Sequence, residues 1–175
     1  MRALLVCFIA AVSFQSFAQQ QPDVIFVPTP HDVVERMLQV AKVGPGDILY
    51  DLGSGDGRIP ITAAKKFGIR AVGIDIDPER IAEANANAKK AGVAKLVTFR
   101  QQDLFKADFK DATVVTLYLL PELNEKLRPR LWAELKPGTR IVSHQFDMGN
   151  WKPERKIDLG GRIIYFWTVP EPKKK

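Results

Sequence analysis

Apolar positions along the chain switch repeatedly between a helical period and short continuous runs. Val33, Val34, Met37, Leu38 and Ala41 share one face of a helix opened by Thr29-Pro30-His31-Asp32 and stopped by Gly44-Pro45-Gly46. At its start Thr29 can cap, Pro30 suits the first helical position, and Asp32 gives the spacing of a capping box. Ile48–Leu52 then reads as a strand, Arg58–Phe67 as a helix ended by Gly68, and Arg70–Ile76 as a second strand. A helix follows from Asp77-Pro78 to near Gly92, a third strand over Val97–Arg100 and a fourth over Ala112–Leu119. Pro121–Leu135 is helical and Thr139–Phe146 is a fifth strand. Lys156–Leu159 and Arg162–Val169 flank Gly160-Gly161 as a hairpin. Strands separated by helices predict a mostly parallel sheet covered on both faces, an α/β sandwich, with the hairpin as an antiparallel C-terminal addition.

The N-terminus breaks this rhythm. Met1-Arg2 is a short positive start, Ala3 to Phe14 carries no charge, and Ser16-Phe17-Ala18 places small residues where a signal peptidase reads. The pattern predicts a secretory signal over residues 1–18, cleaved after Ala18, and one domain over residues 19–175. The apolar stretch of about 12 residues is shorter than the roughly 20 that span a bilayer. The alternative is that residues 3–14 stay as a membrane anchor. Cys7, the one cysteine, would leave with the signal, which excludes disulfide, thiol-nucleophile and cysteine-metal chemistry in the mature chain. A net charge of +6 over 175 residues comes from scattered lysines and a Lys173-Lys174-Lys175 tail, so it describes a solvated surface rather than a nucleic-acid face.

Four segments should meet where the parallel strands end, the edge at which such sheets bind ligands. Gly53-Ser54-Gly55-Asp56-Gly57 follows the first strand, and its glycines let a ligand approach backbone amides at the start of a helix. Arg58 stands where a dinucleotide fingerprint needs its third glycine. Asp51, ahead of the first glycine, would repel a pyrophosphate and suits a ligand carrying an ammonium or sulfonium group. This favours S-adenosylmethionine over a nicotinamide or flavin. Asp75, beside Ile76 at the end of the second strand, is placed to take ribose hydroxyls, leaving Asp77 as the cap of the next helix. Asp103 can accept from an adenine amino group while the adjacent backbone, at Leu104, donates to the ring; the alternative for Asp103 is to cap the next turn. Tyr118 ends the fourth strand, where it could orient an amine or wall the pocket, and Glu122 opens the following helix. Thr29 would cross the top of the site, contacting the methionine end of the cofactor or capping its own helix. His31 and His144 are the only histidines, without metal-ligand spacing, and Ser143-His144 reads as the inner end of the fifth strand.

In order along the chain, VPTP, DLGSGDGR, GIDIDPER, DLFKAD, VVTLYLLPELNEKLRPRL and LKPGTRIVSHQFDMGNWKP resemble the small class I methyltransferases of the ATP synthase c-subunit and adenine nucleotide translocase lysine methyltransferase type. The resemblance runs from about Phe26 to Val169 and implies a Rossmann-like class I methyltransferase sandwich. It implies S-adenosylmethionine held by Asp51, Gly53, Gly55, Asp75 and Asp103. The reading of the strand ends adds Ser54, Gly57, Ile76, Leu104 and Thr29 as candidate contacts and Tyr118 as the candidate catalytic group. The resemblance also implies a protein lysine as acceptor, in the membrane if the N-terminal segment stays there; the alternatives are a methyltransferase on a small-molecule acceptor and a non-catalytic adenosyl-ligand-binding domain. The expectations beside it are no metal, no specific nucleic acid and a monomeric chain. The sequence departs from the eukaryotic members in its secretory rather than mitochondrial N-terminus, and in lacking a helix between the fifth and sixth strands.

Overall fold

A computed structural model describes residues 26–171; the signal pattern over residues 1–18 and the Lys173–Lys175 tail lie outside the described residues. Helices α1 (His31–Val40), α2 (Arg58–Phe67), α3 (Pro78–Lys90) and α4 (Pro121–Glu134) alternate with seven strands. These are β1 (Ile48–Leu52), β2 (Arg70–Asp75), β3 (Val97–Gln101), β4 (Val114–Leu117), β5 (Arg140–His144), β6 (Arg155–Asp158) and β7 (Ile163–Thr168). They form one sheet in the order β3-β2-β1-β4-β5-β7-β6. The first five strands are parallel, and β7 runs antiparallel to both β5 and β6. From β1 the chain moves to β2 on one side and returns to β4 on the other. That reversal opens a crevice at the carboxyl ends of β1 and β4.

Side chains alternate across each strand, so the sheet has two cores. Leu49 faces the layer of α1, α2 and α3, where Val34, Met37, Leu38 and Ala63 are fully buried. Tyr50 and Leu52 face the opposite layer, with Leu127 and Leu131 of α4, Phe109 and Trp167. Asp47 ties the lower edge together. It accepts from the Gly44 amide at 2.9 Å and from Thr113 Oγ1 at 2.7 Å, and pairs with Arg140. Burial alone would raise this carboxyl, but these partners together hold it below the ordinary carboxylate range.

The element order follows the sequence pattern, and the differences lie at ends. β4 is shorter than the expected Ala112–Leu119 because Ala112 closes a turn on the Phe109 carbonyl and Thr113 spends its hydroxyl on Asp47. β5 stops at His144 rather than Phe146. Gln145 takes φ of 67°, and the Phe146 amide bonds the His144 carbonyl at 2.8 Å, a tight γ-turn that reverses the strand. The capping box at α1 does not form. Pro30 occupies the cap position with no side-chain cap, and the Thr29 hydroxyl turns inward to His144. At α3 the expected cap is present, with Asp77 accepting from the Glu79 amide at 2.8 Å.

Leu127 is fully buried between α4 and the sheet. Leu127→Ala should lower unfolding free energy by about 2–5 kcal/mol, measured by urea denaturation with circular dichroism.

Candidate active site

The glycine loop is fastened to β2 before it reaches any ligand. The Gly53 and Ser54 amides both bond the Ile74 carbonyl, at 2.8 and 3.0 Å, and the Gly55 amide donates to Asp75 Oδ2 at 2.8 Å. The other carboxylate oxygen of Asp75 accepts the Asp77 amide at 3.0 Å. Asp75 therefore links the loop to the end of β2 while one side of its carboxylate still lines the crevice. Gly57 caps α2 in the left-handed region, with φ of 79°, and a Cβ there would come within 2.5 Å of the Phe99 ring. Both properties make glycine obligatory at this position.

Asp51 is the strongest electrostatic feature. It is 2% exposed and lies opposite Thr116 in the β1–β4 register, so the Thr116 hydroxyl reaches Asp51 Oδ1 at 2.7 Å. Burial pushes its carboxyl up to about 8; the Thr116 hydrogen bond opposes the rise, and the nearby Asp75 and Asp56 charges add to it. Asp56 behaves differently. Burial would raise it too, but the Arg58 guanidinium grips both its oxygens, the closer at 2.6 Å, and holds it below the ordinary range.

Arg58 also reaches across the crevice to the Thr29 carbonyl at 2.8 Å. Residues Phe26–Thr29 thus form a strap along one wall, with the Phe26 ring packed over Gly55 and Arg80 lying 5.1 Å from that ring's centre. Beneath the strap Thr29 Oγ1 is hydrogen-bonded to His144 Nδ1 at 3.2 Å. The His144 ring, 3% exposed, packs on Tyr118 with centroids 4.1 Å apart, and Phe146 stacks on the same tyrosine at 6.3 Å. Burial pushes the His144 imidazole down to about 4, helped by the Arg162 charge, so it is neutral at physiological pH.

The crevice encloses about 460 Å³, within the range of about 300–1,000 Å³ for small-molecule sites. Of the residues singled out in the sequence, Thr29, Asp51, Gly53, Ser54, Asp75, Ile76, Asp103, Leu104 and Tyr118 line it together. Gly55 and Gly57 do not; they shape the loop from behind. Asp103 serves the turn as well, accepting the Phe105 amide at 2.9 Å. Glu122 is exposed on the first turn of α4 and lies outside the crevice. Sequence reasoning missed Phe26, Asp56, Arg58, Arg80 and Phe105 on the wall, and His144 behind it. Arg58 carried a signal, a cation next to an acid in the glycine loop, but entered only as a missing glycine. The residues fit an adenosyl sulfonium ligand. Ser54 Oγ is buried with no hydrogen-bond partner among the described residues, and Asp51 is a buried acid whose ionised form a positive charge would favour.

Fold and crevice together define an S-adenosylmethionine-dependent methyltransferase. The ANTKMT methyltransferase domain matches residues 51–155, and the chain belongs to that family. The protein-lysine N-methyltransferase of Saccharolobus islandicus (strain REY15A) is 49% identical over 157 residues, covering 87% of this chain and 98% of that one. The ATP synthase c-subunit lysine N-methyltransferase of Mus musculus is 32% identical over 95% of this chain and 67% of its own length. Among solved structures, an RNA methyltransferase from Salinibacter ruber in complex with S-adenosyl-L-homocysteine is 61% identical. It superposes with a TM-score of 0.82 over 85% of this chain and 98% of that chain.

Because the carboxyl of Asp51 is raised in the folded state, the unfolded chain ionises first as pH rises, and the folded ligand-free protein loses stability between about pH 4 and 8. Asp51→Asn removes that loss. The ligand-free variant should melt above the parent at pH 8.5, by about 2–4 °C for each kcal/mol recovered, and the difference should shrink toward pH 4.

Proposed function

We propose that this methyltransferase acts on the ε-amine of a protein lysine. The observation that carries the reading is the charge of the crevice. Its wall holds the acids Asp51, Asp56, Asp75, Asp77 and Asp103 against the guanidiniums Arg58 and Arg80; Arg58 pairs with Asp56 and Arg80 with Asp77 and Glu83, so acid exceeds base even while Asp51 keeps its proton. Such a wall attracts a cationic side chain and repels a phosphate backbone, while Phe105, Leu119 and Leu123 offer apolar surface to a lysine's methylene stem. The similarity to a named protein-lysine N-methyltransferase over nearly that enzyme's full length supports the same acceptor.

In this reading Asp51 receives the positive charge of the methionine end, Asp75 the ribose hydroxyls, and Asp103 with the Leu104 backbone the adenine edge. Ser54 and Ile76 complete the cradle. S-adenosylmethionine supplies an electrophilic methyl on a sulfonium sulfur. The acceptor amine, with an ordinary pKa of about 10.4, must reach that methyl unprotonated. Burial and a neighbouring positive charge both disfavour its ammonium form. Tyr118 Oη then accepts from the amine and aims its lone pair along the line of displacement. Alignment in a desolvated site can supply about 7–11 kcal/mol of the acceleration, and this chemistry asks for no metal. The reading includes a monomeric enzyme that is exported, or anchored through residues 3–14 beside a membrane-embedded lysine.

Incubating the full chain with methyl-labelled S-adenosylmethionine and separate total-protein and total-RNA fractions tests the acceptor. Label on protein, mapped to methylated lysine by mass spectrometry, is expected; label in the RNA fraction alone overturns the reading. Asp75→Ala should weaken calorimetric binding of S-adenosylmethionine by at least about a hundredfold, through loss of charged hydrogen bonds of about 1.5–3 kcal/mol each. Tyr118→Phe should lower kcat about tenfold, the equivalent of one orienting hydrogen bond, with little change in that binding.

A further inference from the structure

Tyr118 and the strap lie on different parts of the crevice wall, yet a buried group outside the crevice touches both. His144 ends β5 just before the strained Gln145 turn, a conformation that persists only where its surroundings hold it. Gln145 is fastened on both sides. Its amide donates to the Ile163 carbonyl at 2.6 Å, and its Oε1 accepts the Ile163 amide at 3.1 Å. Asn124 Nδ2 of α4 holds the next two carbonyls, Phe146 at 3.3 Å and Asp147 at 3.1 Å. The turn places His144 and Phe146, two residues apart, against the same tyrosine ring. From that fixed position His144 Nδ1 meets Thr29, whose carbonyl is the point where Arg58 latches the strap.

We propose that His144 is a positioning residue that joins the strap Phe26–Thr29 to the Tyr118 wall, so that closing the strap over the cofactor sets the tyrosine at the acceptor side. The imidazole has two separable functions. Its Nδ1 holds Thr29, and its ring face supports Tyr118. Being neutral, it adds no positive charge beside the sulfonium. The inference rests on the proposed role of Tyr118, but its test uses no methyl acceptor, so it stands or falls apart from the identity of that acceptor.

The test compares His144→Phe, which keeps a ring and removes the nitrogen, with His144→Asn, which keeps a polar group near the Nδ1 position and removes the ring. Thr29→Val removes the other half of the hydrogen bond. Calorimetry with S-adenosylhomocysteine should show Kd raised about fivefold in His144→Phe and in Thr29→Val, as one lost hydrogen bond implies. The double variant should be no weaker than either single one, and His144→Asn should stay near the parent. Hydrogen exchange of residues 26–34 should quicken in the first two variants and not in the asparagine variant. The chain has three tyrosines, so the Tyr118 ring signal can be followed by NMR with isotope-labelled tyrosine. That signal should shift on Thr29→Val in the parent and stay still on Thr29→Val in the His144→Phe background. Additive losses of affinity, or equal effects of phenylalanine and asparagine on every readout, would overturn the coupling and leave His144 as core packing. A parent chain that fails to bind S-adenosylhomocysteine would overturn it together with the cofactor pocket. Melting temperatures of all variants show whether each remains folded.

Discussion

Asp51 is the penultimate residue of β1, between two parallel neighbours, 2% exposed, with the Thr116 hydroxyl at 2.7 Å and two further carboxylates near enough to raise its pKa. A carboxyl so placed either keeps its proton or waits for a cation, since an unpaired buried charge is costly. Its position follows from the register of β1 with β4, and that register is set by the apolar residues on either side. The sheet thus carries, at its point of reversal, a group that opposes folding at neutral pH and becomes favourable once positive charge arrives. The rest of the site is arranged around that point. Asp75 holds the glycine loop, Arg58 holds Asp56 and the strap, and His144 lies between strap and tyrosine.

Much of this was legible in the chain before its fold was known. The bounds of β1 and α2 follow directly from an apolar run, a glycine loop and a terminal glycine, because each of these acts over a few residues. The cap role of Asp77 was legible for the same reason. What escaped were pairings across long separations. Thr29 looked like a helix cap because capping is the local use of a threonine before proline, yet its partner lies 115 residues away. Arg58 reaches 29 residues back to a carbonyl, and backbone acceptors have no sequence signature. The Gln145 turn was hidden too, since neither glycine nor proline marks it and a strand pattern continues through it.

The cofactor half of the crevice and its acceptor half differ in what supports them. Hydrogen-bonded loops and acids at the ends of β1, β2 and β3 are built for a charged adenosyl ligand, and a similar solved structure holds S-adenosyl-L-homocysteine. On the acceptor side, similar proteins carry different names, a protein-lysine N-methyltransferase at 49% identity and an RNA methyltransferase at 61%. The proposed protein-lysine acceptor rests on charge. In the proposed reading, acids that would receive a sulfonium would also favour an amine and disfavour a nucleic-acid backbone.

For the sulfonium to be received in this way, Asp51 must give up its proton when the cofactor binds. Calorimetric titration of S-adenosylmethionine at pH 7, repeated in buffers of different ionisation enthalpy, counts the protons released. Release approaching one proton per site at pH 7, vanishing well above pH 8, is the predicted result. Binding at pH 7 without proton release would contradict it, because Asp51 would then be ionised already or remote from the positive charge.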